Sequence, residues 1–175
     1  MSARSNLKEE TGFSLIEVLI SLVIILIGVL GFAKTQALAL SNTNIASVRS
    51  IAALQAASLA AVMHANHAYW ATGLAPANMT VNGRVISNVT LNGQTAVCST
   101  VTCTATQLAG FDVKNWGENM QRQFPTGRGI IVCSTLTTAP ITCTIAITWQ
   151  EKTVALNAAS ATTAPAQTYT LMVEP

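Results

Sequence analysis

The chain is poor in charge: only 9% of its 175 residues are Asp, Glu, Lys or Arg, against about 25% in an ordinary soluble domain. Nine basic and seven acidic residues leave a net charge of +2, and Lys and Arg form no run or stripe. Nucleic-acid binding needs a concentrated basic surface, so we expect no nucleic-acid partner. The low charge instead fits a protein that is surrounded by membrane or by other subunits.

Residues typical of catalytic and metal sites are equally scarce. The only two histidines, His64 and His67, stand three residues apart, with no cysteine or acidic residue nearby in the sequence to complete a metal site. The chain has no G-x-S-x-G motif and no Walker-type loop. Asp112 could act as a general base, but we interpret it as ordering its helix near Trp116. We therefore predict that the protein is not an enzyme and holds neither cofactor nor metal.

One long apolar run dominates the N-terminal part of the chain. From Phe13 to Ala33 it has 21 residues with a single charged side chain, Glu17. As a helix this run would be about 31 Å long, the thickness of the hydrocarbon core of a bilayer. A carboxylate near the helix centre costs about 2.5–3.5 kcal/mol and calls for a partner. A position near the helix start would lower that cost, because the interface and the helix dipole both favour an acidic residue there.

The start of this run carries a specific motif. Gly12-Phe13 followed by Ser-Leu-Ile-Glu resembles the processing site of type IV prepilins and pseudopilins, closely from Lys8 to about Gln36. The resemblance implies that prepilin peptidase cuts between Gly12 and Phe13 and that the new amino terminus, Phe13, is N-methylated. It also implies that Glu17 is the assembly glutamate, which pairs with the amino terminus of an adjacent subunit. A buried carboxylate and a buried ammonium are each costly alone and much less so together.

The flanking sequence predicts the topology. Residues 1–12 form a polar leader containing Arg4 and Lys8, and positive residues favour the cytoplasmic side, so the chain after Ala33 is expected in the periplasm. An ordinary secretory signal is the alternative, because Ala37-Leu38-Ala39 fits a small-x-small cleavage pattern. The apolar run is longer than the roughly 7–15 residues of such a signal, and the helical pattern continues through that site. The pattern predicts a single-pass membrane protein, and the prepilin resemblance implies that it lies in the bacterial inner membrane and later reaches the pilus or cell surface.

Beyond the apolar run the helix is predicted to continue as an amphipathic segment over 34–72. Apolar residues recur there mostly at spacings of three, four or seven, which predicts one helix from Phe13 to about Tyr69. Gly73 and Pro76 supply its end, and residues 73–175 are assigned to a periplasmic globular domain. Within the apolar half, Gly28 and Gly31 allow two interpretations: close packing of small residues, or a segment that unwinds when the subunit enters a filament.

The region after the long helix predicts hairpins and a second helix. Asn82-Gly83 and Asn92-Gly93 lie between β-prone residues and predict tight turns between 79 and 97. Thr104 and Gln107 have the spacing of a capping box, which opens a helix over 105–123. The predicted buried face of this helix consists of Leu108, Phe111, Trp116 and Met120.

The C-terminal part predicts an antiparallel arrangement. Alternating apolar and β-branched residues predict strands over 129–136 and 141–149, joined by a Thr-Ala-Pro turn. Glu151 is expected on the exposed side after the second of these strands. Residues 168–173 predict a last strand at the edge of a sheet.

Four cysteines, Cys98, Cys103, Cys133 and Cys143, all follow the apolar helix. An even number on the exported side predicts two disulfides in an oxidising compartment, and three connectivities are possible. We favour Cys98–Cys103 with Cys133–Cys143, because each pair can close a local loop. A four-cysteine zinc site is the alternative, but the gaps of four and nine residues do not both match the usual C-x2-4-C spacing.

Looser motifs in the second half extend the resemblance. F-D-V-x-x-W, F-P-x-G-x-G-I-I-V-C and I-x-C-T-I-A-I-T-W-Q-E occur in the order found in PilV-type minor pilins, and residues 28–36 are similar as well. The implied fold is α+β and type IV pilin-like, with a long N-terminal helix packed on a small antiparallel β-sheet and a second short helix. The region between about Gly73 and Val97 departs from this pattern.

The resemblance implies a structural subunit that helps to initiate type IV pilus assembly and supports pilus-dependent motility or adhesion. Its expected partners are prepilin peptidase, other minor pilins, the major pilin, the inner-membrane assembly platform and, before assembly, membrane lipid. One alternative is a minor pseudopilin of a type II secretion system. Another is an adhesin or DNA-uptake subunit displayed at a filament tip, although Arg84, Lys114, Arg122 and Arg128 are too scattered in sequence to form a basic stripe.

Overall fold

The computed structural model describes residues 12, 14–135, 140–151 and 166–175. These residues divide into two compact units between Thr43 and Asn44, and the first helix contributes to both. In chain order the elements are α1 (Leu15–Ala65), α2 (His67–Trp70), β1 (Asn78–Asn82), β2 (Val85–Ile86), α3 (Val89–Asn92), α4 (Ala105–Gln123), β3 (Arg128–Cys133), β4 (Cys143–Gln150) and β5 (Ala166–Val173).

The first unit consists of the N-terminal part of α1. Its large apolar side chains from Leu15 to Phe32 are all between 47% and 86% exposed, so the described chain buries none of them. By length and composition this helix can cross a membrane. The hydroxyls of Ser21 and Thr35 donate to the backbone carbonyl oxygens of Glu17 (2.7 Å) and Phe32 (2.8 Å), so the helix itself satisfies these polar side chains.

The second unit is built on a five-stranded antiparallel sheet with the strand order β2-β1-β3-β4-β5. β4 pairs along all of β3 on one side and along all of β5 on the other. The predicted last strand is confirmed as an edge strand, and it begins at Ala166, two residues earlier than predicted. The predicted strand over 129–136 ends at Cys133, and residues 136–139 lie outside the described part of the chain.

Only the first of the two predicted Asn-Gly turns forms a hairpin. Gly83 lies between β1 and β2 with a φ of +57°, a left-handed conformation that favours glycine. The second prediction is wrong, because Asn92-Gly93 ends the short helix α3 and Gly93 has a φ of −71°. The side chain of Asn88 caps this helix by accepting a hydrogen bond from the backbone N–H of Leu91 at 3.0 Å. Because Asn88 caps a short helix that ends at Asn92, Asn92-Gly93 does not form the hairpin turn that this dipeptide predicts.

The long helix ends earlier than predicted, at Ala65 rather than about Tyr69. Asn66 has non-helical backbone angles, with φ −113° and ψ 50°, and its buried side-chain amide donates to the backbone carbonyl oxygen of Ala105 at 2.8 Å. The chain then forms the short helix α2. Gly73 follows with a φ of +77°, which only glycine adopts easily.

One face of the sheet is buried by helices. The second-unit part of α1 supplies Ala52, Ala56, Leu59 and Met63 to the core, at helical spacings of four, three and four. Along β4 buried residues alternate with partly exposed ones, which is the pattern of a strand covered on one face. The indole N–H of Trp116 in α4 donates to the backbone carbonyl oxygen of Gln55 in α1 at 2.8 Å, and so joins the two helices.

Glycines allow α4 to approach its neighbours closely. A Cβ at Gly117 would collide with the backbone carbonyl oxygen of Gly83, in the β1–β2 turn. A Cβ at Gly110 would lie 2.9 Å from the backbone carbonyl oxygen of Leu91 in α3. The two glycines are seven residues apart and share one helix face, so α4 meets β1–β2 and α3 through backbone contacts.

The predicted buried face of α4 is therefore wrong in part. Trp116 and Met120 are buried, but Leu108 and Phe111 are only partly buried. The residues that are buried are Ala109, Gly110, Val113, Trp116, Gly117 and Met120. The predicted capping box is confirmed, because Thr104 and Gln107 exchange both hydrogen bonds. The fold class is α+β and pilin-like, with the long N-terminal helix packed on a small antiparallel sheet, as predicted.

We expect Gly117→Ala to lower the free energy of unfolding by about 1–3 kcal/mol, because the new Cβ meets backbone rather than a flexible side chain. Urea unfolding of the full-length chain in detergent would measure this. Gly93→Ala is the matched control: Gly93 has α-helical backbone angles and its Cβ would lie 3.2 Å from the nearest heavy atom, the carbonyl oxygen of Val89, so a smaller change is expected. Equal stability of the two variants would contradict the close contact of α4.

Candidate functional site

The candidate site is the beginning of α1. Gly12 is exposed, and Phe13 lies outside the described residues. The backbone carbonyl oxygen of Ser14 accepts hydrogen bonds from the N–H groups of Glu17 (3.0 Å) and Val18 (3.3 Å) and so opens the helix. Glu17 therefore lies in the first turn, where the positive end of the helix dipole stabilises a carboxylate.

Glu17 is chemically isolated in the apolar part of the helix. Between Leu15 and Ala33 only Glu17 and Ser21 have polar side chains, and the hydroxyl of Ser21 already donates to the backbone of the same helix. The carboxylate of Glu17 makes no ion pair or hydrogen bond with the described residues. In the hydrocarbon of a membrane, an unpaired carboxylate at this position would be costly.

No contact within the described chain requires glycine at three positions of this region. Beyond the adjacent residues and the helix backbone around it, a Cβ at Gly12, Gly28 or Gly31 would meet no described atom within 4 Å, and neither Gly28 nor Gly31 has a positive φ. Gly28 and Gly31 lie inside α1, where each weakens the helix by about 0.5–1 kcal/mol relative to alanine. The two interpretations, close packing of small residues in a membrane helix and unwinding when the subunit enters a filament, both remain predictions.

The four cysteines form two local disulfides, Cys98–Cys103 and Cys133–Cys143. These are the two pairs favoured from the sequence, and they leave none of the four thiols free to bind zinc. Cys133 and Cys143 lie directly opposite each other on β3 and β4. The disulfides therefore belong to the framework of the second unit and stand apart from the start of α1 in sequence.

Three of the four basic residues considered for DNA binding are held by local partners. Arg84 and Arg122 each donate to one carboxylate oxygen of Glu118 at 2.8 Å. Lys114 donates to two backbone carbonyl oxygens, at 2.7 and 2.6 Å, at the end of α3 and just after it. Arg128 is exposed at the start of β3. A basic side chain that already binds a carboxylate or a carbonyl oxygen contributes less to binding a phosphate backbone than an unpaired lysine or arginine would.

His64, His67 and Asp112 do not form a metal site in the described part of the chain. His64 and His67 are exposed on either side of the break between α1 and α2, and the described residues contain no group of three side chains able to hold a metal. Partial burial raises the pKa of the Asp112 carboxyl. The side chain of Asp112 makes no hydrogen bond or ion pair with the described residues, so no polar contact supports its predicted role in ordering the helix near Trp116.

Sequence reasoning missed an ion pair between α1 and the sheet. The prediction that Glu151 is exposed is wrong: it is 8% exposed, and its carboxylate accepts a hydrogen bond from Nε of Arg49 at 3.1 Å. Arg49 also donates to Oε1 of Gln167 in β5 at 3.4 Å. The signal was present in the sequence, because Ile147 and Trp149 are buried and a period of two places Glu151 on the same side.

Comparison with known proteins gives one match. Residues 7–33 match the family described as the prokaryotic N-terminal methylation motif. No curated protein and no solved structure matches the chain. The matched segment spans Gly12, Phe13 and Glu17 and supports a type IV pilin-like protein. It also implies processing by prepilin peptidase and handling by the pilus assembly machinery.

A pH-dependent contribution to stability follows from Glu118. Hydrogen bonds from Arg84 and then Arg122, together with their charges, lower the pKa of its carboxyl. A carboxyl whose pKa is lower in the folded state stabilises the fold above its unfolded pKa of about 4.3, and that contribution disappears as the pH falls through the folded pKa. We expect Glu118→Gln to lower stability near neutral pH and to differ less and less from the parent chain below about pH 4.

Unfolding measured across pH in both proteins would check this effect of Glu118. The matched control is Glu118→Gln in an Arg84→Gln background, where the main hydrogen-bond donor is already missing. There the pH-dependent difference should be smaller. A difference that stays the same at every pH, in either background, would contradict the assignment.

Proposed function

We propose that the chain is a minor pilin that helps to initiate type IV pilus assembly. The observation that carries this proposal is the methylation-motif match over residues 7–33, with Glu17 as the one charged side chain between Leu15 and Ala33 and without an ion-pair partner among the described residues. The PilV-type motifs in the second half of the chain support the minor subunit in preference to the major one. No catalytic step is assigned to the chain itself.

The proposed sequence of events begins in the inner membrane. Residues 1–12 remain in the cytoplasm as a leader, residues 13–33 span the bilayer, and the amphipathic helix over 34–72 leads to the periplasmic domain over 73–175. Exposed apolar side chains along the first unit are suited to lipid before assembly and to other helices afterwards. This exchange of surroundings requires no new hydrogen bonds for the hydroxyls of Ser21 and Thr35.

Cleavage between Gly12 and Phe13 would create the missing cation. Before cleavage the nitrogen of Phe13 is an uncharged amide, whereas afterwards it is an amine with a pKa near 8 and carries a positive charge at neutral pH. The N-methylated form of Phe13 remains a basic amine. In the assembled filament this ammonium would pair with Glu17 of an adjacent subunit, so that processing would switch on the contact that places the two helices in register.

Mass spectrometry of the intact protein and of its N-terminal peptide tests processing and location together. It would be applied to two fractions, sheared surface filaments and inner membrane. N-methylated Phe13 in the sheared fraction, at low abundance beside a major pilin, is the expected result. A chain that still begins at Met1, or one cut after Ala39, would contradict the proposal.

The same measurement separates the pilus from a secretion filament. A processed form confined to the membrane fraction, together with loss of exoprotein release when the gene is deleted, would identify a minor pseudopilin of a type II secretion system. Loss of surface pili or of twitching motility on deletion would support the pilus. Cleavage and methylation are expected in both cases. Deletion would abolish surface pili or twitching motility in one case and exoprotein release in the other.

We expect Glu17→Ala to leave the protein processed and in the membrane while blocking or strongly reducing its incorporation into filaments. Glu17→Gln should behave like the alanine variant, because the side chain keeps its size and loses only its charge. The control is Glu174→Ala, which removes an exposed carboxylate from the second unit. Quantitative immunoblots of sheared and membrane fractions give the ratio, and normal incorporation of both Glu17 variants would refute the assembly role.

A further inference from the structure

The two disulfides of the second unit have different surroundings. Cys133 and Cys143, which join β3 to β4, are 4% and 0% exposed and belong to the hydrophobic core. Cys98 and Cys103 are partly exposed, and all four residues between them, 99–102, are exposed. A thiol in solution reacts only with a disulfide that it can reach, so these surroundings favour reaction at Cys98–Cys103.

The Cys98–Cys103 bond closes a short loop in front of α4. Inside this loop the backbone N–H groups of Thr100 and Val101 both donate to the carbonyl oxygen of Val97, at 3.0 and 3.3 Å. Within the described part of the chain, no backbone hydrogen bond joins residues 97–103 to the elements around them. The disulfide is therefore the main restraint on the conformation of this loop.

Cys103 lies at the start of α4, two residues before the first helical residue. The capping box satisfies the N–H group of Gln107, whereas those of Ala105 and Thr106 have no acceptor among the described residues. Free N–H groups and the positive end of the helix dipole stabilise a thiolate. Residues 94–111 contain no charged side chain that would oppose this effect.

We propose that Cys98–Cys103 is a site of thiol–disulfide exchange. A thiolate from solution attacks Sγ of Cys98 and forms a new S–S bond, while the bond to Cys103 breaks and its electron pair stays on Sγ of Cys103 as a thiolate. A second thiolate then attacks the mixed disulfide and releases Cys98. Overall, two thiols are oxidised to one disulfide, and the cysteine pair is reduced to two thiols.

The direction of attack follows from the positions of the two sulfur atoms. In an exchange reaction, the sulfur whose thiolate is more stable leaves faster. Cys103 is next to the start of α4, whereas Cys98 lies five residues earlier in the loop. Attack at Cys98, with Cys103 as the leaving group, is therefore faster than attack at Cys103.

Reduction acts locally, because the start of α4 is held in other ways. The capping box does not depend on the disulfide, and Nδ2 of Asn66 donates to the backbone carbonyl oxygen of Ala105 at 2.8 Å. Breaking the Cys98–Cys103 bond therefore releases residues 97–103 and leaves α4 and the sheet in place.

The test uses the full-length chain purified in detergent with both disulfides intact. Reduced glutathione is added under native conditions, samples are quenched with N-ethylmaleimide, and peptide mass spectrometry gives the labelled fraction of each cysteine. Cys98 and Cys103 should be labelled at least about tenfold faster than Cys133 and Cys143, which are the control within the same molecule. Equal rates for the two pairs would overturn the proposal.

Two further measurements identify the leaving sulfur. At early times glutathione should be attached mainly to Cys98. In Cys98→Ser the remaining thiol of Cys103 should react with iodoacetamide at a lower pH than the thiol of Cys98 does in Cys103→Ser, because the thiolate of Cys103 is stabilised. Glutathione mainly on Cys103, or the same pH profile for both variants, would contradict the direction of attack.

Amide hydrogen exchange before and after reduction tests whether the response is local. Exchange should become faster in residues 97–103 and stay unchanged in β3 and β4. Faster exchange throughout the second unit, or no change in residues 97–103, would show that the disulfide does not control this loop alone.

Discussion

A carboxylate without a counter-charge in an apolar helix is the constraint on which the first unit depends. Glu17 gains some stabilisation from its place in the first turn of α1, but a helix terminus provides only about 0.3–1 kcal/mol to an exposed charge. That is less than the cost of an unpaired charge in hydrocarbon. All other side chains between Leu15 and Ala33 are either apolar or satisfied within the helix. Between Leu15 and Ala33, Glu17 is thus the one charged side chain, and it has no ion-pair partner among the described residues.

The second unit is organised by close contact of backbones. Gly117 brings α4 against the β1–β2 turn, Gly110 brings it against α3, and the indole of Trp116 reaches the backbone of α1. The buried carboxylate of Glu151 adds an ion pair with the exposed Arg49, between α1 and the end of β4. These contacts hold the sheet in one arrangement, which is what gives its two edges and its open face a defined geometry.

The sequence was informative where a local signal was specific, although the local Asn92-Gly93 turn signal failed because those residues end α3. The capping box at Thr104, the hairpin turn at Gly83 and the period-two strands were all predictable, because each depends on a few neighbouring residues. The end of the long helix at Ala65 was not, since it depends on a hydrogen bond from Asn66 to Ala105, 39 residues away. The buried face of α4 was predicted only in part for a related reason: glycine gives no hydrophobic signal, yet contact with Gly83 and Leu91 requires it. For the candidate site, the motif around Gly12 locates Gly12, Phe13 and Glu17, but the described residues contain no ion-pair partner for Glu17, and the proposed partner is a second subunit.

The disulfide between Cys133 and Cys143 has a consequence for the accuracy of folding. These two cysteines are directly opposite residues of β3 and β4. A slip of one residue between the strands would turn the two sulfur atoms to opposite faces of the sheet, where they could not bond. The disulfide can therefore form only when β3 and β4 pair in the register that places Cys133 opposite Cys143.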